Sequence, residues 1–247
     1  YGIGGSFGTF NNEGTLNQTA TGAHTFQSSI TFNNTGTVNI DAGTLTMDGS
    51  GSDTGVYAVD AGATLNFSGG TRNLNAGSNI TGLGTLAVSG GTVNANVALD
   101  FVGSSTALAI SSGVLNINNA LSVGALVLSG GTLGGTGAAT VTGAFNVTGG
   151  SLLGGTGKFT TQGVSTVNMA AASGILGLSG GKTWINEGTL TLGGDDSLYF
   201  GYTGGGSNTL TNAVGATLNL SSSNATPLNL YGIGGSFGTF NNEGTLN

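Results

Sequence analysis

Short segments in which apolar residues alternate with Asn, Thr or Ser recur along the whole chain. Examples are Thr37–Ile40, Thr64–Phe67 and Thr217–Leu220. Alternation with a period of two predicts β-strands that bury one face and expose the other to water. Gly-Gly, Glu-Gly and Ser-Gly pairs separate the segments, and glycine adopts the positive φ angles of tight turns without steric penalty. No stretch of ten residues has a helical pattern, so the sequence predicts an all-β protein.

The spacing of equivalent apolar positions is close to 21 residues or close to 7. Leu65 and Leu86 are 21 residues apart, and Leu86 and Val93 are 7 apart. The longer spacing fits one coil of a solenoid, and the shorter one fits a strand plus a turn on one side of a three-sided coil. We therefore predict a parallel β-solenoid (β-helix), three-sided, with about 20–22 residues per coil. Some coils must be longer, because Leu190 and Leu218 are 28 residues apart.

Such a sequence folds as a stack because no single coil can bury its apolar side, whereas stacked coils bury a continuous column. We expect Phe10 and Trp184 to face inward as packing residues, with an exposed aromatic platform for glycans as the alternative. Asn12, Asn34 and Asn186 precede turn glycines, and we expect them to stack as amide ladders along the axis.

A second repeat operates on a much larger scale. Residues 1–17 recur without a change at 231–247. We predict that 1–230 is one tandem unit of a longer protein and that 231–247 begins the next identical unit, with an artificial duplication as the alternative. Neighbouring units stacked end to end would cover each other's open sheet edges.

Two motifs carry a resemblance to known families. Phe-Asn-Asn-Glu-Gly-Thr-Leu at 10–16 and 240–246, and Trp-Ile-Asn-Glu-Gly-Thr-Leu at 184–190, resemble motifs of filamentous-haemagglutinin-type surface proteins. The Gly-rich segments 129–143 and 149–160 resemble repeats in the passenger regions of bacterial autotransporter adhesins. The structural motif positions are Phe10, Gly14, Leu16, Trp184, Gly188, Leu190, Phe240, Gly244 and Leu246. The resemblance implies secretion to the bacterial cell surface, a β-helical stalk, and a role in adhesion, aggregation or biofilm.

Composition excludes several classes of protein. The chain has 51 Gly, one Pro, no Cys and 5% charged residues, yet it is 37% hydrophobic, which argues against intrinsic disorder. Its only basic residues are Arg72, Lys158 and Lys182, too few to neutralise a phosphate backbone, so we expect no nucleic-acid partner. No apolar run approaches the length of a membrane span, and we expect no membrane insertion of this segment.

Candidate catalytic motifs are present but incomplete. Gly-x-Ser-x-Gly occurs around Ser6, its copy Ser236, and Ser179, and His24 is the only histidine that could serve as a base. Glycine is so frequent that about one such match arises by chance, and nothing places His24 beside a serine. The segment 177–183 approaches a phosphate-binding loop but is one residue short, so Lys182 is interpreted as a solvated turn residue. We predict that the chain is not an enzyme.

Four aspartates are candidates for a calcium site. Asp48, Asp53, Asp195 and Asp196 offer oxygen ligands, but they lack the spacing of an EF-hand loop or of a calcium-binding β-roll. Exposed turn aspartates are the simpler interpretation. We predict no cofactor, with structural Ca²⁺ as the alternative.

The sequence thus favours a structural extracellular fibre or stalk of a giant repetitive surface protein. Its partners would be neighbouring units, like fibres or surface glycans. The alternative is a carbohydrate-binding β-helical module of an adhesin. A third hypothesis, ice binding by threonine rows, is motivated by Thr44 and Thr46, but such Thr-Leu-Thr pairs do not recur on successive coils and we expect no ice binding.

Overall fold

The computed structural model describes residues 8–101, 107–231 and 235–247. Throughout these residues the chain winds as a parallel β-solenoid of short strands, and they contain no α-helix. Each described strand pairs in parallel with strands one coil before or after it. The predicted fold class is confirmed.

The strands lie on three faces. The first face is an 11-stranded sheet. It consists of β1 (Gly8–Asn12), β4 (Ile30–Asn34), β7 (Gly51–Asp53), β10 (Thr71–Leu74), β13 (Thr92–Ala95), β16 (Val114–Ile117), β18 (Thr132–Gly134), β20 (Ser151–Leu153), β23 (Ile175–Leu178), β26 (Ser197–Phe200) and β29 (Leu228–Leu230).

The second face begins as a four-stranded sheet and continues, through β14 beside β11, into the 16-stranded sheet. It consists of β2 (Thr15–Gln18), β5 (Thr37–Ile40), β8 (Val56–Val59), β11 (Asn79–Gly82), β14 (Leu99–Phe101), the first halves of β17 (Ala120–Leu128) and β19 (Ala138–Val147), β21 (Lys158–Thr161), β24 (Thr183–Asn186), β27 (Ser207–Asn212) and β30 (Phe237–Asn242).

The third face belongs entirely to the 16-stranded sheet. It consists of β3 (Ala23–Phe26), β6 (Thr44–Met47), β9 (Thr64–Phe67), β12 (Thr85–Val88), β15 (Ala107–Ile110), the second halves of β17 and β19, β22 (Val164–Val167), β25 (Thr189–Leu192), β28 (Thr217–Leu220) and β31 (Thr245–Leu246). The second and third faces join where β17 and β19 run around the corner: β17 pairs with β14 through its first half and with β15 through its second.

The core is a set of axial columns of apolar side chains. Alternate residues of most strands are buried, as the period-two pattern predicts. One column on the third face stacks leucines in register over five coils, each at most 2% exposed. It contains Leu45, Leu65, Leu86, Leu108 and Leu126. At about 25 cal/mol per Å² of apolar surface, this continuous burial is the main stabilising contribution.

Coil length varies as expected. Hydrogen-bonded asparagines one coil apart are separated by 21 residues at Asn73 and Asn94 and by 30 residues at Asn212 and Asn242. The extra residues lie in the turns, since the strands themselves stay in register.

The predicted amide ladders are confirmed. Asn12 Nδ2 donates to Asn34 Oδ1 at 2.8 Å near the first coil. Near the last coils Asn186 Nδ2 donates to Asn212 Oδ1 at 2.9 Å, and Asn212 Nδ2 donates to Asn242 Oδ1 at 2.8 Å. These inward-facing amides fix the axial register of the stack because a buried amide without partners is destabilising.

The two motif aromatics face inward, but only one is covered. Trp184 is fully buried, and its column continues through Leu210 to Phe240. Phe10 stacks on Phe32 with ring centroids 5.3 Å apart, yet it is 40% exposed because its coil is the first one described. Packing, the preferred interpretation of both residues, is confirmed.

The threonine pairs do not form extended double rows. Thr44 and Thr46 lie beside Thr64 and Asn66 of the next coil, as the sequence indicates. Single threonine columns do occur, and Thr85 extends this one.

Candidate functional site

A surface cleft opens on the first face near β18, β20 and β23. Its volume is about 540 Å³, and it is lined by Gly131 and Thr132, 150–152, 171–175, and Tyr202 and Thr203. The loop 168–174 forms one wall, and the turn after β26 forms another. The cleft is open to solvent, and the Tyr202 ring together with small and polar residues lines it.

Three tyrosines cluster beside this cleft. The ring of Tyr202 lies 6.1 Å from that of Tyr199 and 5.2 Å from that of Tyr231, and Tyr231 is 46% exposed. Tyr202 folds over Gly177, where an added Cβ would approach the Tyr202 ring to 2.8 Å. The glycine therefore makes room for an aromatic ring on the outer surface of the sheet.

Backbone strain also concentrates at the cleft. In the described residues the only non-glycine positions with positive φ are Ser173, at 55°, and Thr203, at 60°. Both line the cleft. Such conformations are unfavourable for residues with a Cβ, and they cluster at ligand-binding sites. No sequence motif marks this cleft, and its one signal in the sequence is that three of the five tyrosines fall between 199 and 231.

A second polar cluster is enclosed in the core. Arg72 occupies an inward position of β10, and its Nη2 donates to both carboxylate oxygens of Asp53 at 2.5 Å. The Arg72 Nη1 donates to the Phe32 carbonyl at 2.8 Å, and Nη2 also donates to the Tyr57 hydroxyl at 3.0 Å. Gly51 leaves the necessary space, because a Cβ there would collide with the guanidinium. The alternation of Arg72 with Leu74 in β10 is the sequence signal that could have placed Arg72 inside.

Desolvation dominates the electrostatics of this cluster. Burial raises the pKa of Asp53, and the Arg72 guanidinium opposes that shift. Burial also raises the pKa of Tyr57 well above its usual value, so its hydroxyl stays protonated at neutral pH. Asp53, interpreted from sequence as an exposed turn residue and a candidate calcium ligand, is instead the buried counter-ion of Arg72.

The other three candidate calcium ligands lie in different environments. Asp196 is fully buried and accepts hydrogen bonds from the backbone N–H groups of Met169 at 2.6 Å and Gly174 at 3.0 Å. It closes the loop that walls the cleft, so the expected exposed turn carboxylate is wrong here too. Asp48 accepts from the Ser68 hydroxyl at 3.2 Å, and Asp195 is half-buried. Within the described ranges no group of three or more His, Asp or Glu side chains is placed to hold a metal ion.

Lys182 is not a solvated turn residue. It is 4% exposed, and its Nζ donates to the Gly157 carbonyl at 2.8 Å. Burial lowers its pKa to about 8. The segment that follows is strand β24, as expected, and not the helix that a phosphate loop requires.

The two described serines of the Gly-x-Ser-x-Gly motifs, Ser179 and Ser236, lie many coils away from His24. Ser179 is 7% exposed and its hydroxyl donates to the Gly204 carbonyl at 3.3 Å. His24 lies on β3, where its Nδ1 is 2.7 Å from Gln18 Oε1. Eight coils separate it from Ser179, roughly 40 Å at the strand spacing of a sheet. Ser236 is 7% exposed on the last coil, and Ser6 lies outside the described residues.

The chain matches no protein-family profile, no curated protein and no solved structure. No helix in the described part of the chain is long and apolar enough to cross a membrane.

Proposed function

We propose that this chain is a length of an extracellular structural fibre or stalk on a bacterial surface, acting in adhesion, aggregation or surface-network formation. The supporting observation is the continuity of the stack. Parallel pairing runs unbroken along the first face from β1 to β29, and amide ladders reinforce both ends. A fold of this kind grows by adding coils, so its length increases in proportion to the number of residues while its width stays constant.

The experiment compares the 247-residue chain with a chain of two consecutive repeats, made by joining residues 1–230 to residues 1–247. Small-angle X-ray scattering gives the cross-section and the axial length of each. We expect an unchanged cross-section and an added length of about 50 Å, from ten further coils at about 4.8 Å each. A compact particle whose width grows with the second repeat would contradict the fibre.

Carbohydrate binding is the second candidate, and the tyrosine-flanked cleft favours it. Exposed tyrosine rings offer flat apolar faces with a polar edge, which suit the alternating faces of sugar rings. The site would take a short neutral glycan, since no Asp, Glu, Lys, Arg or His is among the residues that line the cleft.

This alternative is tested on a glycan array with the 247-residue chain and Tyr202→Ala. Phe237→Ala removes a 68% exposed ring on a different face and serves as the matched control. We expect a bound glycan signal that Tyr202→Ala reduces at least tenfold and Phe237→Ala leaves unchanged. Equal binding by all three chains would place any glycan site elsewhere.

A further inference from the structure

Residues 8–17 and 235–247, which the structure describes in the two identical 17-residue copies, occupy different faces of the solenoid. In the first copy, β1 lies on the first face and β2 on the second. In the second copy, β30 lies on the second face and β31 on the third. Because β29 is the eleventh strand of the face that β1 begins, the second copy lies ten coils and one face beyond the first.

The inward amide ladder has matching ends at the two copies. Asn242, the copy of Asn12, accepts a hydrogen bond from Asn212. Asn12 donates to Asn34, while no residue in the described part of the chain donates to Asn12 Oδ1. If the repeat continues past Asn242, that residue acquires the donor bond that Asn12 makes here. The ladder then runs from Asn186 through Asn212 and Asn242 to the Asn34 of the next repeat, with every amide pointing in the same direction.

A ladder of outward-facing asparagines also matches at the two copies, and its hydrogen bonds run in the opposite direction. Asn247, the copy of Asn17, donates to Asn219 Oδ1 at 2.9 Å. Asn39 donates to Asn17 Oδ1 at 2.8 Å. Across a junction these bonds form one series in which each later asparagine donates to the earlier one.

The phenylalanines Phe10 and Phe240 of the two copies also make complementary packing contacts. Phe240 covers Leu210 of the Trp184 column, whereas Phe10 covers Phe32 and is itself 40% exposed. In a continuing stack one phenylalanine would do both, with Leu210 on one side and a Phe32 on the other. The exposed ring at the first coil therefore has a specific cover, the β27 strand of a preceding repeat.

We infer that consecutive repeats stack end to end with a turn of one face, so that the first face of each repeat continues as the second face of the one before it. The inference rests on the proposed fibre and specifies its geometry. In this arrangement β3 of the next repeat would pair with β29. Its β4 would pair with β30, and its β5 would pair with β31. The Tyr202 cleft would then face a new direction in each repeat and return to the first direction after three.

The decisive contact is between β29 and β3 of the next repeat, because only the rotated arrangement creates it. Leu228 and Leu230 face inward in β29, as do His24 and Phe26 in β3, so in-phase stacking sets Asn229 beside Thr25. Without rotation, β30 would instead lie on β29 and set Thr239 near Asn229. Neighbouring parallel strands have Cα separations of about 4.8 Å, within the range that a disulfide spans.

The test uses the two-repeat chain, which contains no natural cysteine. One variant carries Asn229→Cys in the first repeat and Thr25→Cys in the second. The comparison variant carries Asn229→Cys in the first repeat and Thr239→Cys, the position ten residues later in the chain. A positive control carries Asn17→Cys and Asn39→Cys, whose positions are paired within one repeat. Disulfide formation under mild oxidation is measured by mass spectrometry of peptides.

We expect the control and the Asn229–Thr25 variant to become fully cross-linked and the Asn229–Thr239 variant to remain reduced. Cross-linking of Asn229 with Thr239, or of neither pair while the control reacts, would overturn the rotation. Axial length separates this failure from failure of the fibre: an unrotated rod still doubles in length, whereas a compact particle contradicts both.

Discussion

Arg72 and Asp53 form an ion pair inside the solenoid with both side chains 0% exposed. Two further groups complete it: the Tyr57 hydroxyl accepts from Arg72, and the Asn34 N–H donates to Asp53 at 3.1 Å. The guanidinium carbon also lies 5.6 Å from the centroid of the Phe67 ring. Because desolvating two charges is costly, such a pair is stable only when nearly every hydrogen-bonding group around it is used.

Removing one member of this pair should be strongly destabilising. Arg72→Met leaves the Asp53 carboxylate buried without its counter-ion, and we expect the free energy of unfolding to fall by about 3–5 kcal/mol. Urea denaturation of the 247-residue chain measures this change.

The double variant Arg72→Met with Asp53→Asn is the control for the electrostatic origin of that loss. Its amide oxygen can still accept from the Asn34 N–H, while the uncompensated charge is gone. We expect it to regain at least half of the lost stability. A double variant as unstable as the single one would attribute the loss to packing.

Lys182 should make stability rise with pH between about 8 and 10. Its pKa is lowered to about 8 by burial, against an ordinary value of 10.5. In this window the unfolded chain binds more protons at Lys182 than the folded chain, so stability increases as pH rises, by up to roughly 3 kcal/mol. Below pH 8 both states hold the proton and the destabilising contribution is constant.

Lys182→Met isolates this contribution, because it removes the titrating group and keeps an apolar stem. Unfolding midpoints of both chains are measured from pH 7 to 10. As the pH rises over this range, we expect the unfolding midpoint of the natural chain to increase relative to that of the variant. Parallel pH profiles would show that Lys182 does not titrate with a lowered pKa.

The fold could be predicted from sequence because its determinants are local and repeated. The alternation in segments such as Thr64–Phe67 defines the strands, and the 21-residue spacing from Leu65 to Leu86 is also their observed register. Asn12 and Asn34 formed the predicted ladder because identical residues recur at the coil spacing.

The contacts among the buried polar residues could not be predicted because they depend on coils of unequal length. Asp53 lies 19 residues from Asn34 and from Arg72, whereas Asp196 reaches back 27 residues to Met169. No fixed period places such residues together. Charged residues in turn-like sequences were therefore interpreted as exposed, which is wrong for Asp53, Asp196 and Lys182.

The inward asparagine ladder should contribute more to stability than the outward one. Asn212 is fully buried, donates to Asn242 and to the Thr245 carbonyl at 2.9 Å, and accepts from Asn186. Asn212→Leu removes the buried bond from Asn186, whereas the exposed Asn242 and Thr245 can bond to water, and we expect a loss of about 1–3 kcal/mol in the free energy of unfolding. Asn39→Ala, in the outward ladder, should cost under about 1 kcal/mol, because water replaces the lost bond. Similar losses in urea denaturation would contradict a special role for the buried amides.

The duplicated motif offers a matched pair of glycines that differ only in what covers them. A Cβ at Gly244 would press on the carbonyl oxygens of Ala213 and Ala216, whereas a Cβ at Gly14 meets nothing within 4 Å. Overpacking typically costs 1–3 kcal/mol, so Gly244→Ala should loosen β31 while Gly14→Ala is tolerated.

Hydrogen exchange measures this loosening locally, at one backbone N–H group close to each of the two glycines. The Thr245 N–H donates to the Ala216 carbonyl, and the Thr37 N–H donates to the Gly14 carbonyl. We expect Gly244→Ala to speed exchange at Thr245 roughly tenfold or more, and Gly14→Ala to leave Thr37 within about a factor of two. Since both glycines sit in the same 17-residue sequence, unequal effects would mean that the coil beneath, and not the motif itself, imposes the requirement for glycine. Equal effects would assign that requirement to the turn's own backbone conformation and would remove the packing argument for Gly244.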